Sequence, residues 1–273
     1  MSTDPSPQAA NITVRLAENR EEIRAAQRLR YEVFYEEYGA RPTPEMAADR
    51  LDFDAFDDIM DHLIVIDPSH GAGTQGIVGT YRLLRHDAAK KIGRFYTSDE
   101  YDISPLLNSG AKLLELGRSC VLAQNRTRPV LQLLWSGIAQ YVTDHQIDLL
   151  FGCASLHGTD PKALGQELAF LHHYHLAPAE LRPCALPGRY VNMNFFPREE
   201  LDARRIFSQL PPLIKGYLRV GATIGDGAVV DEQFNTTDVC IVLPTHMVTD
   251  RYSRHYLEKS GSPATPPVRG ETL

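Results

Sequence analysis

Glu115 and Arg118 stand three residues apart at the end of an apolar run, Leu113-Leu114-Glu115-Leu116-Gly117-Arg118-Ser119-Cys120-Val121. A carboxylate and a guanidinium in such a strand are costly unless they pair with each other or are put to use. Further charged residues precede them. Arg30 and Phe34 lie on a predicted helix, Asp54 and Asp57 follow a loop, and Arg82 lies on a predicted strand. A guanidinium grips a carboxylate through two parallel hydrogen bonds. The arginines therefore suit either an anionic substrate group or the task of orienting the acids. A carboxylate enclosed by apolar residues holds its proton more tightly, which suits it to proton transfer near neutral pH.

The elements that must position these residues are readable from periodicity. Ile12, Val14 and Leu16 alternate with polar residues, which predicts a half-buried strand. Asn19 followed by Glu22 has capping-box spacing and predicts a helix to about Tyr38. Gly39 ends it, and Pro42 and Pro44 forbid its continuation. Residues 62–67 (HLIVID) and 77–84 (IVGTYRLL) read as two strands joined by a glycine-rich turn. Residues 112–122 form a third buried strand, followed by a helix over 129–145, a strand over 149–154 and a helix over 161–173. The segment 174–210 is interrupted by prolines and holds a short helical pattern near 198–209. Residues 213–220 predict a short amphipathic helix, and 238–243 (DVCIVL) a final strand. The pattern implies an α/β protein of the α+β kind, a mixed twisted sheet with helices on both faces. We expect one domain over 12–257, with a core at 12–173 and an extension at 174–257 that completes the sheet. Residues 1–11 and 258–273 read as disordered tails.

Composition narrows the function classes. The formal net charge is −7, which argues against nucleic acid as a partner. No apolar stretch reaches the roughly 18 residues that a spanning helix needs. The polar first eleven residues lack the pattern of a signal peptide. The expected location is cytoplasmic, with peripheral contact at the inner membrane face as an option. Cys120, Cys153, Cys184 and Cys240 are widely spaced and predict thiols rather than a disulfide framework. His172, His173 and His175 lack the carboxylate placement of a zinc site, so no metal is expected.

Arg30-x-x-Val33-Phe34, Asp54-x-x-Asp57, Gly79-Thr80-Tyr81-Arg82 and Glu115-x-x-Arg118 resemble the charged core of acyl-homoserine-lactone synthases, carrier-protein-dependent relatives of the GNAT acyltransferases. A second resemblance runs from about residue 28 to 256. FDDIMDHL at 56–63, ELGRSCV at 115–121, FGCASLHGTDP at 151–161, LPPLIKGYLRVGA at 210–222, IGDGAVVD at 224–231 and FNTTDVCIV at 234–242 are similar to bacterial L-ornithine Nα-acyltransferases. Each motif alone is weak, and the ordered set is specific. Six residues after Phe34 the homoserine-lactone synthases typically carry Trp, whereas this chain has Ala40. That departure favours the ornithine reading.

The resemblance implies a GNAT-like core. It also implies transfer of a 3-hydroxyacyl group from acyl carrier protein to the α-amino group of L-ornithine, giving lyso-ornithine lipid. The phosphopantetheine arm is then a co-substrate and no cofactor is permanently bound. Glu115 becomes the candidate general base, with a structural pair to Arg118 as the alternative. Asp54 and Asp57 become candidate anchors for the δ-ammonium or the reacting amine, with helix capping as the alternative. Arg30, Arg82 and Arg118 become candidate carboxylate binders or orienting groups, and Phe34 a substrate wall or core residue. GNAT enzymes that use acetyl-CoA carry a glycine-rich pyrophosphate loop, but here the segment is Gln124-Asn125-Arg126-Thr127-Arg128-Pro129. Arg126 and Arg128 are candidates for the single phosphate of a carrier arm. Arg85, Lys90, Lys91 and Arg94 form a basic cluster that could extend the docking face for an acidic carrier, with solvated loop charge as the alternative. Two other readings stay open: another N-acyltransferase of this fold, making homoserine lactones or acylating a different amino acid, and a non-catalytic module that binds carrier protein or membrane.

Overall fold

A computed structural model describes residues 12–246; the tails at 1–11 and 258–273 lie outside them. Strand β1 (Thr13–Leu16) leads into helix α1 (Arg20–Tyr31). The Asn19 side chain accepts from the Glu22 backbone N–H at 3.0 Å, and Glu22 reaches back to the Glu18 N–H. The helix then widens into a π-helical turn, Glu32–Glu37, that reaches Tyr38. This turn places Val33 and Phe34 on a cavity described below. Helix α2 (Pro44–Asp49) starts at the proline that the sequence reads as a helix breaker. Proline lacks only an N–H that a first-turn residue does not need.

The main sheet continues with β2 (Asp61–Ile66) and β3 (Ile77–Arg85). After β3 come α3 (His86–Ile92), the short strand β4 (Tyr101–Asp102) and α4 (Ser104–Leu107). Strand β5 (Leu113–Val121), helix α5 (Arg128–His145), strand β6 (Leu149–His157) and helix α6 (Gly165–His175) follow. The later segment adds β7 (Cys184–Ala185), α7 (Ala203–Gln209), α8 (Pro212–Arg219), β8 (Thr223–Ile224), β9 (Val229–Asp231) and β10 (Thr236–Pro244). The sheet order is β1-β2-β3-β5-β6-β10-β8, with β9 also on β10, while β4 and β7 pair separately. The segment beyond residue 173 thus supplies strands to the same sheet as the earlier part.

Two irregularities shape the centre of this sheet. Thr80 pairs with Cys120 and Arg82 with Gly117, so Arg118 and Ser119 together oppose Tyr81. This is a β-bulge, and Arg118 adopts the left-handed φ of 49°. The other lies between β5 and β6, which run parallel and pair only at Leu113–Leu149, Leu114–Leu150 and Glu115–Phe151. Beyond Glu115 the two strands part. At the parting point Gly152 has φ +154°, and a Cβ there would lie 2.2 Å from the Leu116 carbonyl oxygen. We expect Gly152→Ala to cost about 2 kcal/mol or more. A urea unfolding midpoint equal to that of the wild type would contradict this.

The two faces of the sheet differ. Tyr81 on β3 meets Tyr217 of α8, hydroxyl to hydroxyl at 3.0 Å, and Trp135 of α5 packs edge-on against Tyr217 at 5.2 Å. Ala154, Leu116 and Leu150 belong to this apolar side. Strand alternation turns Glu115, Phe151, Cys153, Ser155 and Asp238 to the opposite face. α8 buries Ile214, Tyr217 and Leu218 against the domain. Among the described residues no helix is long and apolar enough to cross a membrane.

Candidate active site

On the carboxylate-bearing face, three arginines and three aspartates interlock. Arg30 Nε donates to Asp52 Oδ2 at 2.6 Å, and its Nη2 donates to both Asp57 oxygens at 2.9 and 3.0 Å. Arg82 grips Asp54 bidentately at 2.6 and 2.9 Å and reaches Asp57 at 3.3 Å. Arg118 joins Asp52 at 3.2 Å and Asp54 at 3.4 Å, with its guanidinium between the rings of Tyr96 and Phe234. Tyr35 donates to Asp52. The side chains of Arg30, Arg82 and Asp52 are essentially inaccessible. Burial would push the Asp52 carboxyl upward, but Arg118, Arg30 and Arg82 hold it well below the carboxylate range.

Glu115 takes a different partner from the one its spacing to Arg118 suggests. Among the described residues it makes no ion pair. One oxygen accepts from Tyr96 N at 3.0 Å, and the other from Thr97 N at 2.6 Å and Thr97 Oγ1 at 2.5 Å. Its pKa is raised because full burial outweighs these donors. The reason for the separation is geometric. Regular alternation would send residues three apart to opposite faces; the bulge returns Arg118 to the face of Glu115, but there its guanidinium is taken by Asp52 and Asp54 while the 96–97 turn takes Glu115.

A cavity of about 380 Å³ occupies the gap where β5 and β6 part. Leu131, Leu134, Trp135, Pro211, Leu213 and Tyr217 line it from the apolar face. Arg82, Tyr96, Thr97, Glu115, Arg118, Cys153, Ser155, Asp231 and Asp238 line it from the other. Phe34 is a wall of this cavity and meets Phe234 edge-on at 5.8 Å. A passage through a sheet, apolar on one side and charged on the other, suits a substrate with an apolar chain and a polar reacting end.

Comparison with known proteins identifies the family. An acetyltransferase (GNAT) domain family matches residues 29–136. The chain is 47% identical over 253 residues to an L-ornithine N(alpha)-acyltransferase of Brucella abortus (strain 2308), covering 90% of this chain and 89% of the relative. It is 44% identical over 268 residues to the enzyme of that name from Rhizobium meliloti (strain 1021), covering 97% and 90%. The chain belongs to the L-ornithine N(alpha)-acyltransferase family. Among solved structures, the N-acyl amino acid synthase FeeM from uncultured soil microbes matches at TM-score 0.47 and 14% identity, over 86% of this chain and 92% of that one.

Within this family member, Arg30, Asp54, Asp57, Arg82 and Arg118 come together as one lattice beside Glu115. Asp57 is saturated by Arg30, Arg82 and the Asp54 N–H. Asp54 is spent on Arg82, Arg118 and the Phe56 N–H. Neither retains a carboxylate oxygen without a partner for an incoming ammonium. The basic residues divide into two groups. Arg126 lines the cavity beside the N-terminus of α5, where it is doubly bonded to Glu37, and Arg128 is exposed as the first residue of that helix. Arg85 lies near the other end of α5, bonded to Tyr141 and Asp61. Thirteen residues of helix separate those ends by about 20 Å. Lys90 and Lys91 are exposed on α3, and Arg94 pairs with Asp99. Of these basic residues, Arg126 lines the cavity, and Arg85, Lys90, Lys91 and Arg94 do not.

Sequence reasoning missed Asp52, Glu100, Asp231 and Asp238. The last three bring carboxylate oxygens within 4.8 Å of one another. Burial and the neighbouring Asp238 push the Glu100 carboxyl up to about 8, and burial above all pushes Asp238 up to about 6. A carboxyl whose folded pKa exceeds its unfolded value of 4.5 adds stability that is full below pH 4.5 and is lost as pH rises through 8. His62, His172 and His175 are lowered from 6.5 by burial and act in the opposite sense, below that pH. We therefore expect the melting temperature of the substrate-free protein to fall between pH 6.5 and 9. Glu100→Gln should flatten that fall, and an unchanged slope in the variant would refute the assignment.

Proposed function

We propose that this protein transfers a 3-hydroxyacyl group from the thioester of acyl carrier protein to the α-amino group of L-ornithine, giving lyso-ornithine lipid. The observation that carries this reading is the cavity through the β5–β6 gap, with Glu115 at the point where the strands part. The acyl chain lies against Leu131, Leu134, Trp135, Leu213 and Tyr217, where apolar area is available for burial. The pantetheine arm enters past Arg126 and Arg128, near the positive end of the α5 dipole.

The amine nitrogen attacks the thioester carbon and passes its proton to Glu115. The tetrahedral intermediate collapses with cleavage of the C–S bond, and Glu115 returns the proton to the departing thiolate. Backbone N–H groups on the parted strand edges stabilise the developing oxyanion. Arg118 holds the substrate α-carboxylate, because it is the lattice arginine between two cavity-lining groups, Tyr96 and Phe234. Arg30 and Arg82 orient Asp52, Asp54 and Asp57 around it.

Cys120, buried, and Cys153, partly buried, both have pKa values raised by desolvation, which makes neither a ready nucleophile for a covalent relay. The test is incubation of purified protein with 3-hydroxyacyl carrier protein and a panel of amines, followed by mass spectrometry. N-acylornithine as the dominant product supports the reading. Acylation of a different amino acid overturns the acceptor, and no turnover with any amine overturns the enzyme assignment.

A further inference from the structure

Two acidic sets stand out among the described residues, and only one is neutralised. Asp52, Asp54 and Asp57 are each held by arginine. Asp231 and Asp238 have no ion pair among the described residues, and Glu100 has only the half-exposed Arg189 at 3.7 Å. Asp238 is 6% exposed and lines the cavity, yet its Oδ1 has no hydrogen-bond partner. Asp231 also lines the cavity, with Oδ1 capping the N–H groups of Gln233 and Phe234. Glu100 stands behind them and accepts from the cavity-lining Cys153 thiol at 3.2 Å. An unpaired buried carboxylate oxygen is expensive, and a cation that arrives with the substrate removes the cost.

We propose that Asp231 and Asp238, backed by Glu100, form the subsite for the side-chain ammonium of the amino-acid acceptor. This rests on the acyl-transfer reading above and adds the group that selects a diamine. An ammonium has three N–H donors and no acceptor. Asp231, Asp238 and Glu100 each bring a carboxylate oxygen within 4.8 Å of the other two, close enough for the donors of one ammonium to reach all three. The position is also suitable. Arg118, Tyr96, Asp231 and Asp238 line the same cavity, and the Arg118 guanidinium lies over the Tyr96 ring at 4.9 Å. A zwitterionic amino acid can thus place its carboxylate at Arg118 and its distal cation at the acids, with the α-amine left toward Glu115. A neutral side chain of the same length would leave the acids unpaired, and such sites discriminate strongly.

The experiment compares kcat/KM for L-ornithine with that for L-norvaline, which has the same carbon chain without the terminal amine. The wild type should prefer ornithine by a hundredfold or more. Asp238→Asn and Asp231→Asn should each cut that preference at least tenfold, chiefly through the KM for ornithine. The KM for acyl carrier protein should stay within twofold. Melting curves establish that each variant is folded, and the Asp231 variant serves if the Asp238 variant is not. Undiminished preference in a folded variant overturns the proposal, as does a wild type that acylates both amines equally. A calcium- or magnesium-dependent rise in melting temperature that Asp238→Asn abolishes, with the preference intact, would make the cluster a cation site and also overturn it. A wild type that acylates no amine defeats the acyl-transfer reading itself, a result distinct from all of these.

Discussion

Replacing Arg30 with Met is expected to cost about 3–5 kcal/mol, a large share of the roughly 5–15 kcal/mol that keeps a typical protein folded. The size follows from what Arg30 neutralises. Asp52 and Asp57 are both buried, and Arg30 is bonded to each within 3.0 Å. Without it, the one arginine left to Asp52 is Arg118 at 3.2 Å and the one left to Asp57 is Arg82 at 3.3 Å. Arg82→Met should cost less, because its main partner Asp54 is 23% exposed and can turn to water. The order of the two urea midpoints is the test; Arg82→Met as the more damaging change would mean that burial of the acid is not what sets the cost. Asp52 and Asp57 both have depressed pKa values. A depressed carboxyl adds stability that is present above its unfolded value of 3.8 and is lost as pH falls through the folded one. Acid below pH 3.8 should therefore weaken the wild type more steeply than Arg30→Met.

The same lattice shows what a sequence can and cannot disclose. Arg30, Arg82, Glu115 and Arg118 stand out because each charge interrupts an apolar pattern, and that pattern also fixes β3, β5 and α1 to within a few residues. Asp52 has the same importance but no such contrast. It lies in Asp49-Arg50-Leu51-Asp52-Phe53-Asp54, where any of several acids could cap a turn, and its burial comes from Arg30 and Arg118, far away in sequence. Asp238 did carry a legible signal, as a lone acid in Thr237-Asp238-Val239-Cys240-Ile241-Val242. The signal gains meaning only when β10 lies antiparallel to β6 and brings Asp238 opposite Ser155. Glu100 had none, since it sits among polar loop residues and is buried by the later segment. The pairing of Glu115 with Arg118 was suggested by spacing alone, which cannot show that Asp52 and Asp54 take the guanidinium and the 96–97 turn takes the carboxylate. Helices α3 and α4 escaped because segments of seven and four residues are too short to show a period.

Replacing Glu115 with Gln is expected to lower kcat with L-ornithine by about a hundredfold to ten-thousandfold, the usual share of a positioned general base. The substitution also puts an amide N–H where a carboxylate oxygen now accepts a backbone N–H, from Tyr96 or Thr97. A loss of stability of about 1–3 kcal/mol should accompany it. Two effects in one variant call for a measurement that separates them, and the pH profile does so. Burial raises the pKa of Glu115, and a base must be ionised to accept the proton, so the wild-type rate should rise with pH through that value. In Glu115→Gln, assayed below its melting temperature, this acidic limb should vanish while a slow residual rate persists, supported by substrate positioning and backbone donors alone. If the limb survives at its original position in the weakened enzyme, the proton goes elsewhere and Glu115 acts by fixing the 96–97 turn. Glu100 and Asp238 are then the groups to test in the same assay, since their pKa values of about 8 and about 6 bracket neutrality. Survival of the limb would therefore move the base from the parting of β5 and β6 to the acidic wall.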